Sequence, residues 1–223
     1  MSGEISLTKV TKGSTISLTK SQETISLTKP SKVVAPLRKL YVGCGWDVTS
    51  QGGDDLDLSI IQLDKENREI FTLYYRNKRE TGPDNSLKHS GDNLTGAGDG
   101  DDEVILIDLE RVAPEVDRMI VFVNVYSSGT SFSDVENAFI RIVNNETNDE
   151  LALYELSKTT SKKPSMLFGE IKRDVNGEWL FTALGEEMNE KYVEDIVKKL
   201  TNGRKASSNE ASNQKRGFFN RMF

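Results

Sequence analysis

Acidic side chains are concentrated in one glycine-rich stretch of the sequence, which runs from His89 to Glu103. Its five carboxylates belong to Asp92, Asp99, Asp101, Asp102 and Glu103. Between Lys88 and Arg111 there is no lysine or arginine to balance them. Two carboxylates about 5 Å apart repel each other by about 3 kcal/mol at an effective dielectric constant of roughly 20. The stretch must therefore either extend into water or bind a cation.

The glycines and neutral oxygen donors of this stretch favour the cation. Glycine lets a backbone turn back on itself, so that carbonyl and carboxylate oxygens converge. Asn93 and Thr95 add an amide oxygen and a hydroxyl oxygen. A site made only of oxygen atoms suits a hard cation, and Ca2+ takes roughly six to eight such ligands at about 2.3–2.6 Å. The sequence therefore predicts calcium binding, and the alternative is an acidic loop that only improves solubility.

An EF-hand does not explain the stretch, although Asp92 and Glu103 stand at the first and last positions of an EF-hand-sized window. The third and fifth positions are Leu94 and Gly96, which carry no carboxylate, and Ala97 occupies the position of the invariant glycine. A predicted strand follows, where an EF-hand needs a helix. We therefore reject the EF-hand and keep the cation.

A second acidic patch contains Asp54, Asp55 and Asp57. In a strand, Asp55 and Asp57 point to the same face and would lie beside a shared ion or beside the main loop. The same Asp-x-Asp pattern occurs in phosphatases that use an aspartyl nucleophile. Those enzymes need a buried apolar strand before the first aspartate, whereas Gln51–Gly53 precedes this patch. A metal-dependent hydrolase is therefore only a third alternative.

The other reactive side chains do not compose an active site. His89 is the only histidine, so no Ser-His-Asp triad forms without it; we expect it to orient the acidic loop through a hydrogen bond. Cys44 lies between two glycines in an apolar run and is expected to be a buried thiol. Trp46 and Trp179 are expected to pack in or near the core. These features predict a protein that is not an enzyme.

Charge is unevenly distributed along the 223 residues, whose net charge is -6. Residues 1–39 carry seven basic and two acidic side chains, and residues 201–223 carry five and one, which leaves -15 on residues 40–200. An acidic body repels phosphate backbones, so we expect no nucleic-acid binding by the core. The single cysteine fits a reducing compartment. Because there is also no secretory pattern and no long apolar run, the sequence predicts a cytoplasmic location.

Short alternating runs separated by turn signals predict an all-β fold, a two-sheet antiparallel β-sandwich with a short C-terminal helix. The predicted strands are Leu40–Val42, Leu56–Leu63, Ile70–Tyr75, Val104–Leu109, Met119–Tyr126, Ala138–Val143, Leu151–Leu156, Met166–Lys172 and Trp179–Ala183. Val112–Arg118 is predicted to form a short helical turn because Pro114 lies near its start. The predicted helix has one apolar face, made of Met188, Tyr192, Val193, Ile196, Val197 and Leu200. Gly203 is its expected C-cap.

The sequence divides into three predicted segments. Residues 1–30 contain Ile-Ser-Leu-Thr-Lys three times, beginning at Ile5, Ile16 and Ile25, and each copy reads as a short edge strand. Residues 31–200 form the sandwich. Residues 201–223 are a predicted disordered tail, whose aromatic and basic end at Gly217–Phe223 is a candidate for weak membrane or partner contact, or is simply a frayed terminus.

Several motifs together resemble the TerD-type tellurium-resistance and stress-response domain over roughly residues 14–186. They are Gly43–Asp47, Asp55–Ser59, His89–Glu103, Asn137–Asn144 and Phe168–Glu170. The most specific is Gly-Asp-Asn-Leu-Thr-Gly at 91–96, followed by Gly-Asp-Gly-Asp-Asp-Glu at 98–103. The chain is therefore identified from sequence as a member of this family.

The resemblance implies a two-sheet sandwich in a bacterial cytoplasmic protein, without enzymatic activity, that binds calcium through its acidic loops. The implied ligands are Asp55, Asp57, Asp92, Asn93, Asp99, Asp101, Asp102 and Glu103. The implied function is resistance to tellurite, chemical stress, phage or colicins, exerted through calcium-ordered docking to other stress-response proteins at the inner face of the membrane. The alternative is a calcium-dependent lipid- or glycan-binding sandwich.

Overall fold

Two antiparallel β-sheets pack face to face in the computed structural model, which describes residues 15–17, 37–47, 55–77, 81–91, 100–127, 129–158 and 162–201. The strands are β1 (Thr15–Ser17), β2 (Lys39–Gly45), β3 (Leu56–Leu63), β4 (Glu69–Leu73), β5 (Leu87–His89), β6 (Glu103–Asp108), β7 (Arg118–Val125), β8 (Phe139–Asn144), β9 (Glu150–Glu155), β10 (Ser165–Arg173) and β11 (Trp179–Met188). One sheet has the order β1-β11-β10-β7-β3-β4, and the other has the order β5-β6-β2-β8-β9. The predicted all-β sandwich is confirmed.

The alternation of side chains along each strand produces the core between the sheets. In β6, every second residue from Glu103 is buried and the residues between them are half-exposed. The buried faces of the two sheets meet in one cluster, which includes Leu40, Val42, Cys44, Leu58, Ile60, Ile105, Ile107, Val121 and Val123. Trp46 and Trp179 are also buried in this cluster, as the sequence predicts.

A helix at residues 193–201, called α1, covers the outer face of the six-stranded sheet. Val193 and Ile196 of α1 form a second apolar cluster with Ile61 of β3 and Phe122 of β7. Because β3 is covered on both faces, all eight of its residues are buried. The helix therefore seals the side of the sheet that the sandwich core does not reach.

The predicted apolar face of the helix is wrong at its first two positions. Met188 is the last residue of β11 and reaches the same cluster from the sheet. Tyr192 precedes α1 and is 52% exposed. Neither residue lies inside the helix. Their helix-like spacing from Val193 in the sequence therefore does not place them on a helical face.

All nine predicted strands overlap observed strands, and the differences are local. β5 was not predicted, because its three residues are too few to show a period. Val112–Arg118 is a hydrogen-bonded turn and not a helix: the Val116 N–H donates to the Ala113 carbonyl at 3.0 Å, and β7 begins at Arg118.

The N-terminal repeat enters the fold through its second copy. β1 begins one residue before that copy and pairs antiparallel with β11, with Ile16 opposite Phe181. It is the terminal strand of its sheet, as predicted for an edge strand. The first and third copies, Gly203 and residues 202–223 of the tail lie outside the described residues, and Thr201 is the last residue of α1.

Within the described ranges, no helix combines the length and the apolar character that crossing a membrane requires.

Candidate metal site

The acidic stretch forms the connection between β5 and β6, and its two ends are held together. Ser90 donates its N–H to the Val104 carbonyl at 2.8 Å, and the Ser90 hydroxyl accepts the Val104 N–H at 3.1 Å. The Nδ1 atom of buried His89 accepts the N–H of Gly91 at 3.2 Å. His89 therefore orients the start of the acidic loop, which is the role expected from the sequence.

Glu103 connects the end of the acidic stretch to the opposite sheet. Its side chain is fully buried, and its Oε2 accepts the backbone N–H of Leu58 at 2.8 Å. Within the described residues, β4 pairs with β3 only over Ile60–Leu63, so the carboxylate takes the place of a neighbouring strand beside Leu58. The Nε2 of His89 lies 3.8 Å from the same oxygen. A buried carboxylate thus joins both acidic segments of the sequence.

Asp102 fastens the acidic stretch to the end of β2. Its N–H donates to the Cys44 carbonyl at 2.8 Å, and its Oδ2 accepts the N–H of Trp46 at 2.9 Å. A side chain at Gly45 would lie 2.3 Å from the carbonyl oxygen of Gly100, so only glycine lets the two segments approach this closely. Asp102 is therefore held by the backbone of β2.

Asp101 forms a two-pronged ion pair with Arg141 of β8. The Arg141 Nε donates to Oδ1 at 2.8 Å, and an Nη atom donates to Oδ2 at 2.7 Å. The Asp101 side chain is only 9% exposed, and its hydrogen bonds raise the pKa of Arg141 above its ordinary value. The pair lies across Gly43, where an added Cβ would be 2.3 Å from the carboxylate. Both oxygens of Asp101 are thus already bonded to a cation.

Buried Cys44 is affected by the charges of four acidic residues. Burial raises the pKa of its thiol well above the ordinary value, and the charges of Glu103, Asp102, Asp101 and Asp57 raise it further. Four of the predicted ligands therefore act on one buried sulfur. This end of the sandwich, where β2 ends and β3 and β6 begin, concentrates negative charge.

The second acidic patch leads into β3. The N–H of Asp55 donates to the Ser127 hydroxyl at 3.0 Å, and its carbonyl accepts the Tyr126 N–H at 2.8 Å. Asp57 is 2% exposed and stands opposite Asn124 of β7, whose Nδ2 donates to its Oδ2 at 3.2 Å. Asn124 in turn stands opposite Ser165 of β10, which makes a buried polar row across three strands.

The oxygen of the Asn124 amide is buried and has no hydrogen-bond partner among the residues that the structure describes. A buried acceptor without a donor is costly, by about 1–3 kcal/mol. A cation beside Asp57 would satisfy it, because carboxylate and amide oxygens are both calcium ligands. This donor set fits a hard cation.

The structure brings together some predicted ligands and leaves others out. The charges of Asp57, Asp101, Asp102 and Glu103 all raise the pKa of Cys44, at the end of the sandwich where β2 ends and β3 begins, and Asp55 directly precedes β3. Asp92, Asn93 and Asp99 lie outside the described residues. Within the described ranges, no three histidine, cysteine or acidic side chains form a group that could hold a metal ion. A calcium site would therefore need donors from the loop at 92–99.

Sequence reasoning missed three residues of this region: Asn124, Ser165 and Arg141. Asn124 had a detectable signal, because it is the only uncharged polar residue in the otherwise apolar run of β7 after Arg118. Ser165 had none. Arg141 is forty residues from Asp101, and no local pattern links them.

Comparison with known proteins places this arrangement in a family. Residues 8–200 match the family described as "TerD domain". The chain is 40% identical over 164 residues to "Tellurium resistance protein TerD" of Serratia marcescens, covering 70% of this chain and 84% of that protein. It is also 40% identical over 181 residues to "General stress protein 16U" of Bacillus subtilis (strain 168), covering 77% and 90%.

A solved structure supports the fold. The crystal structure of a homologue of telluride resistance protein (TerD) from Streptomyces coelicolor A3(2) superposes with a TM-score of 0.62 at 22% identity, covering 71% of this chain and 94% of that one. The family match spans both sheets, α1 and the acidic connection between β5 and β6. The chain belongs to the TerD domain family.

Proposed function

We propose that this protein is a non-enzymatic, calcium-binding stress-response protein that docks to membrane-associated partners when calcium orders its acidic loops. The stress-response part is supported by the names of its relatives, which are a tellurium resistance protein and a general stress protein. The calcium part is supported by one observation above all. A buried Asn124 oxygen without a described partner lies beside the buried carboxylate of Asp57, at the end of the sandwich that gathers the acidic segments.

The donors divide into two groups under this proposal. Asp57 and Asn124 belong to the rigid sheet and would supply fixed ligands, and Asp55 is positioned beside them by Ser127. Asp92, Asn93 and Asp99 would complete the coordination. Asp101 is bonded to Arg141, and Asp102 to the backbone of β2, so in this arrangement both hold the end of the loop in place. Their ligation would require them to give up these bonds.

Bound calcium would act by cancelling repulsion and ordering the loop. A ligand that binds only the folded state stabilises it by RT ln(1 + [L]/Kd), which is about 2.7 kcal/mol at a hundredfold excess over Kd. The loop begins at the His89–Gly91 hydrogen bond and ends at Asp101 and Asp102, so its ends are fixed before the ion arrives. A loop that calcium has already ordered presents one conformation to a partner. Docking then does not have to overcome the loss of the loop's conformational entropy.

The test is calorimetric titration of the full chain with Ca2+ and with Mg2+, together with thermal unfolding in calcium and in EGTA. We expect Ca2+ to bind and EGTA to lower the melting temperature, and Asp57→Asn and Asp92→Asn to abolish the shift. Glu146→Gln is the matched control, because Glu146 is exposed on the turn after β8, at the opposite end of the sandwich. An unchanged melt of the wild-type protein in EGTA would contradict the calcium proposal.

Docking is tested separately, by sedimentation with membranes. We expect calcium-dependent pelleting with bacterial inner-membrane vesicles that retain their proteins, and none with protein-free anionic liposomes. Pelleting with the protein-free liposomes, also by a chain that ends at Leu200, would instead support calcium-dependent lipid binding. Pelleting that is lost on truncation would assign the contact to residues 201–223.

A further inference from the structure

The edge of β11 is a docking slot for a very short strand. β1 contributes three residues, and they pair with β11 as Thr15 opposite Thr182, Ile16 opposite Phe181 and Ser17 opposite Leu180. β11 itself spans ten residues and pairs along its other side with β10. This slot on the β11 edge therefore spans three strand positions, which Thr15–Ser17 occupy.

The sequence contains a second segment that fits this slot. Thr-Ile-Ser-Leu-Thr-Lys occupies residues 15–20 and recurs without change at residues 24–29. Thr24, Ile25 and Ser26 thus repeat the three residues that pair with β11. Two segments with the same sequence can form the same backbone pairing with one strand. Only their flanking residues and their connections to β2 can distinguish them.

The stretches of chain that connect each segment to β2, called tethers here, favour neither segment strongly. Twenty-one residues separate Ser17 from the start of β2 at Lys39, and twelve separate Ser26 from it. Loop-closure cost rises with about the three-halves power of loop length, which favours the nearer segment by only about twofold. An extended twelve-residue tether reaches about 40 Å.

That reach is sufficient. Packed sheets are about 10 Å apart, and β2 lies two strands, or roughly 10 Å, from the margin of its sheet at β9. Position 185 of β11 faces Tyr154 of β9, so that margin lies next to β11: a Cβ added at Gly185 would be 3.7 Å from the Tyr154 ring.

We propose that residues 24–26 of the same chain occupy the β11 edge in alternation with residues 15–17. One slot cannot hold both segments, so docking of one releases the other. The exchange shortens the tether to β2 by nine residues and lengthens the chain that precedes the docked strand from 14 residues to 23. The second and third copies of the N-terminal repeat are thereby interchangeable strands, and which of them is docked sets how much N-terminal chain extends beyond the sheet.

Disulfide trapping tests the proposal on the full chain. Thr182→Cys is combined with Thr15→Cys, with Thr24→Cys or with Gln22→Cys, all in a Cys44→Ala background. Gln22 lies between the two segments and belongs to neither, so it controls for chance collisions of a tethered cysteine. We expect the initial rates of disulfide formation for the Thr15 and Thr24 pairs to agree within about threefold. The Gln22 pair should react at least about tenfold more slowly.

Competition supplies a second readout. Ile16→Asp disfavours docking of the first segment, so it should slow the Thr15 cross-link and speed the Thr24 cross-link. A Thr24 rate equal to that of the Gln22 control, or one that Ile16→Asp does not change, would overturn the proposal. Thr24 cross-links found only in covalent dimers would also overturn it, because they would join two chains.

Discussion

The carboxylate of Glu103 on β6 accepts the backbone N–H of Leu58 on β3 at 2.8 Å, with no water-exposed atom on the Glu103 side chain. The bond links strands of different sheets. Glu103 therefore contributes charge to the acidic stretch and also a hydrogen bond between the two sheets. Substitutions that keep or remove the hydrogen-bond acceptor separate these two roles.

Glu103→Ala should cost about 3 kcal/mol of unfolding free energy, because it leaves the Leu58 N–H buried without an acceptor and opens a cavity. Glu103→Gln keeps an acceptor oxygen and should cost clearly less. Urea unfolding in EGTA measures both without a contribution from bound calcium. Glu110→Ala is the control, since that side chain is 58% exposed. Equal losses for Glu103→Ala and Glu103→Gln would mean that the Leu58 bond contributes little.

The Asp101–Arg141 pair should show strong coupling in a double-mutant cycle. With Asp101→Asn and Arg141→Met, we expect a coupling free energy of about 1–3 kcal/mol, because the pair is bidentate and the carboxylate is shielded from water. The Asp64–Arg68 pair is the comparison: it is just as short, at 2.6 Å, but its arginine is 73% exposed. Exposed pairs contribute about 0–1 kcal/mol. Similar coupling in both pairs would refute the role of burial.

Cys44 should be nearly unreactive in the folded protein. Its pKa is raised well above the ordinary value by burial and by the charge of Glu103, so almost no thiolate exists at pH 8 and none is accessible. We expect iodoacetamide to label it at least about a hundredfold more slowly in buffer than in urea. Since the chain has one cysteine, a single mass shift reports the result. Rapid labelling in buffer would mean that this end of the sandwich opens readily.

Asp84 should contribute stability that is lost in acid. Burial alone would raise its pKa, but hydrogen bonds from Ser86, Ala113 and Gln62 outweigh burial and hold the pKa below its ordinary value. A group with a lowered pKa in the folded state stabilises the protein above the ordinary value, and this contribution disappears as the pH falls through the folded pKa.

The measurement for Asp84 is urea unfolding of wild type and Asp84→Asn from pH 6 to pH 2.5. The difference in unfolding free energy should be largest at pH 6 and should shrink towards pH 2.5. If the difference in unfolding free energy is constant over this pH range, the hydrogen bonds from Ser86, Ala113 and Gln62 do not preferentially stabilise the ionised form of Asp84.

The strands were predictable because their pattern is local. β7 is a nearly continuous apolar run, β6 holds four consecutive apolar residues, and β3 begins with alternating apolar and polar residues, so each carries its own signal. β5 does not, since its three residues show no period and it forms only by pairing with β6. The sequence also placed Ile196 on the apolar face of the helix, and Ile196 is buried, but its packing against Phe122 was not predicted.

The candidate site was predictable in composition but not in contacts. The clustering of acidic residues in the sequence predicted that Asp55 and Asp57 would lie beside a shared ion or beside the acidic stretch. The structure shows that the charges of Asp57 and Glu103 both raise the pKa of Cys44. The bonds of Asp101 were not foreseen, because a pairing with Arg141 depends on which strands become neighbours of β2. Asn124 could have been noticed as a polar residue in an apolar strand, but its partner is set by the register of β7 against β3.

The absence of a side chain at Gly43 links two distant positions of the chain. The Asp101 carboxylate occupies the space that a methyl group would need, at 2.3 Å from the ideal Cβ position. Any larger residue at 43 would therefore push the carboxylate off Arg141 and with it the start of β6. Homologues that carry alanine or serine at this position should also have exchanged the aspartate or the arginine, so the three positions are expected to vary together or not at all.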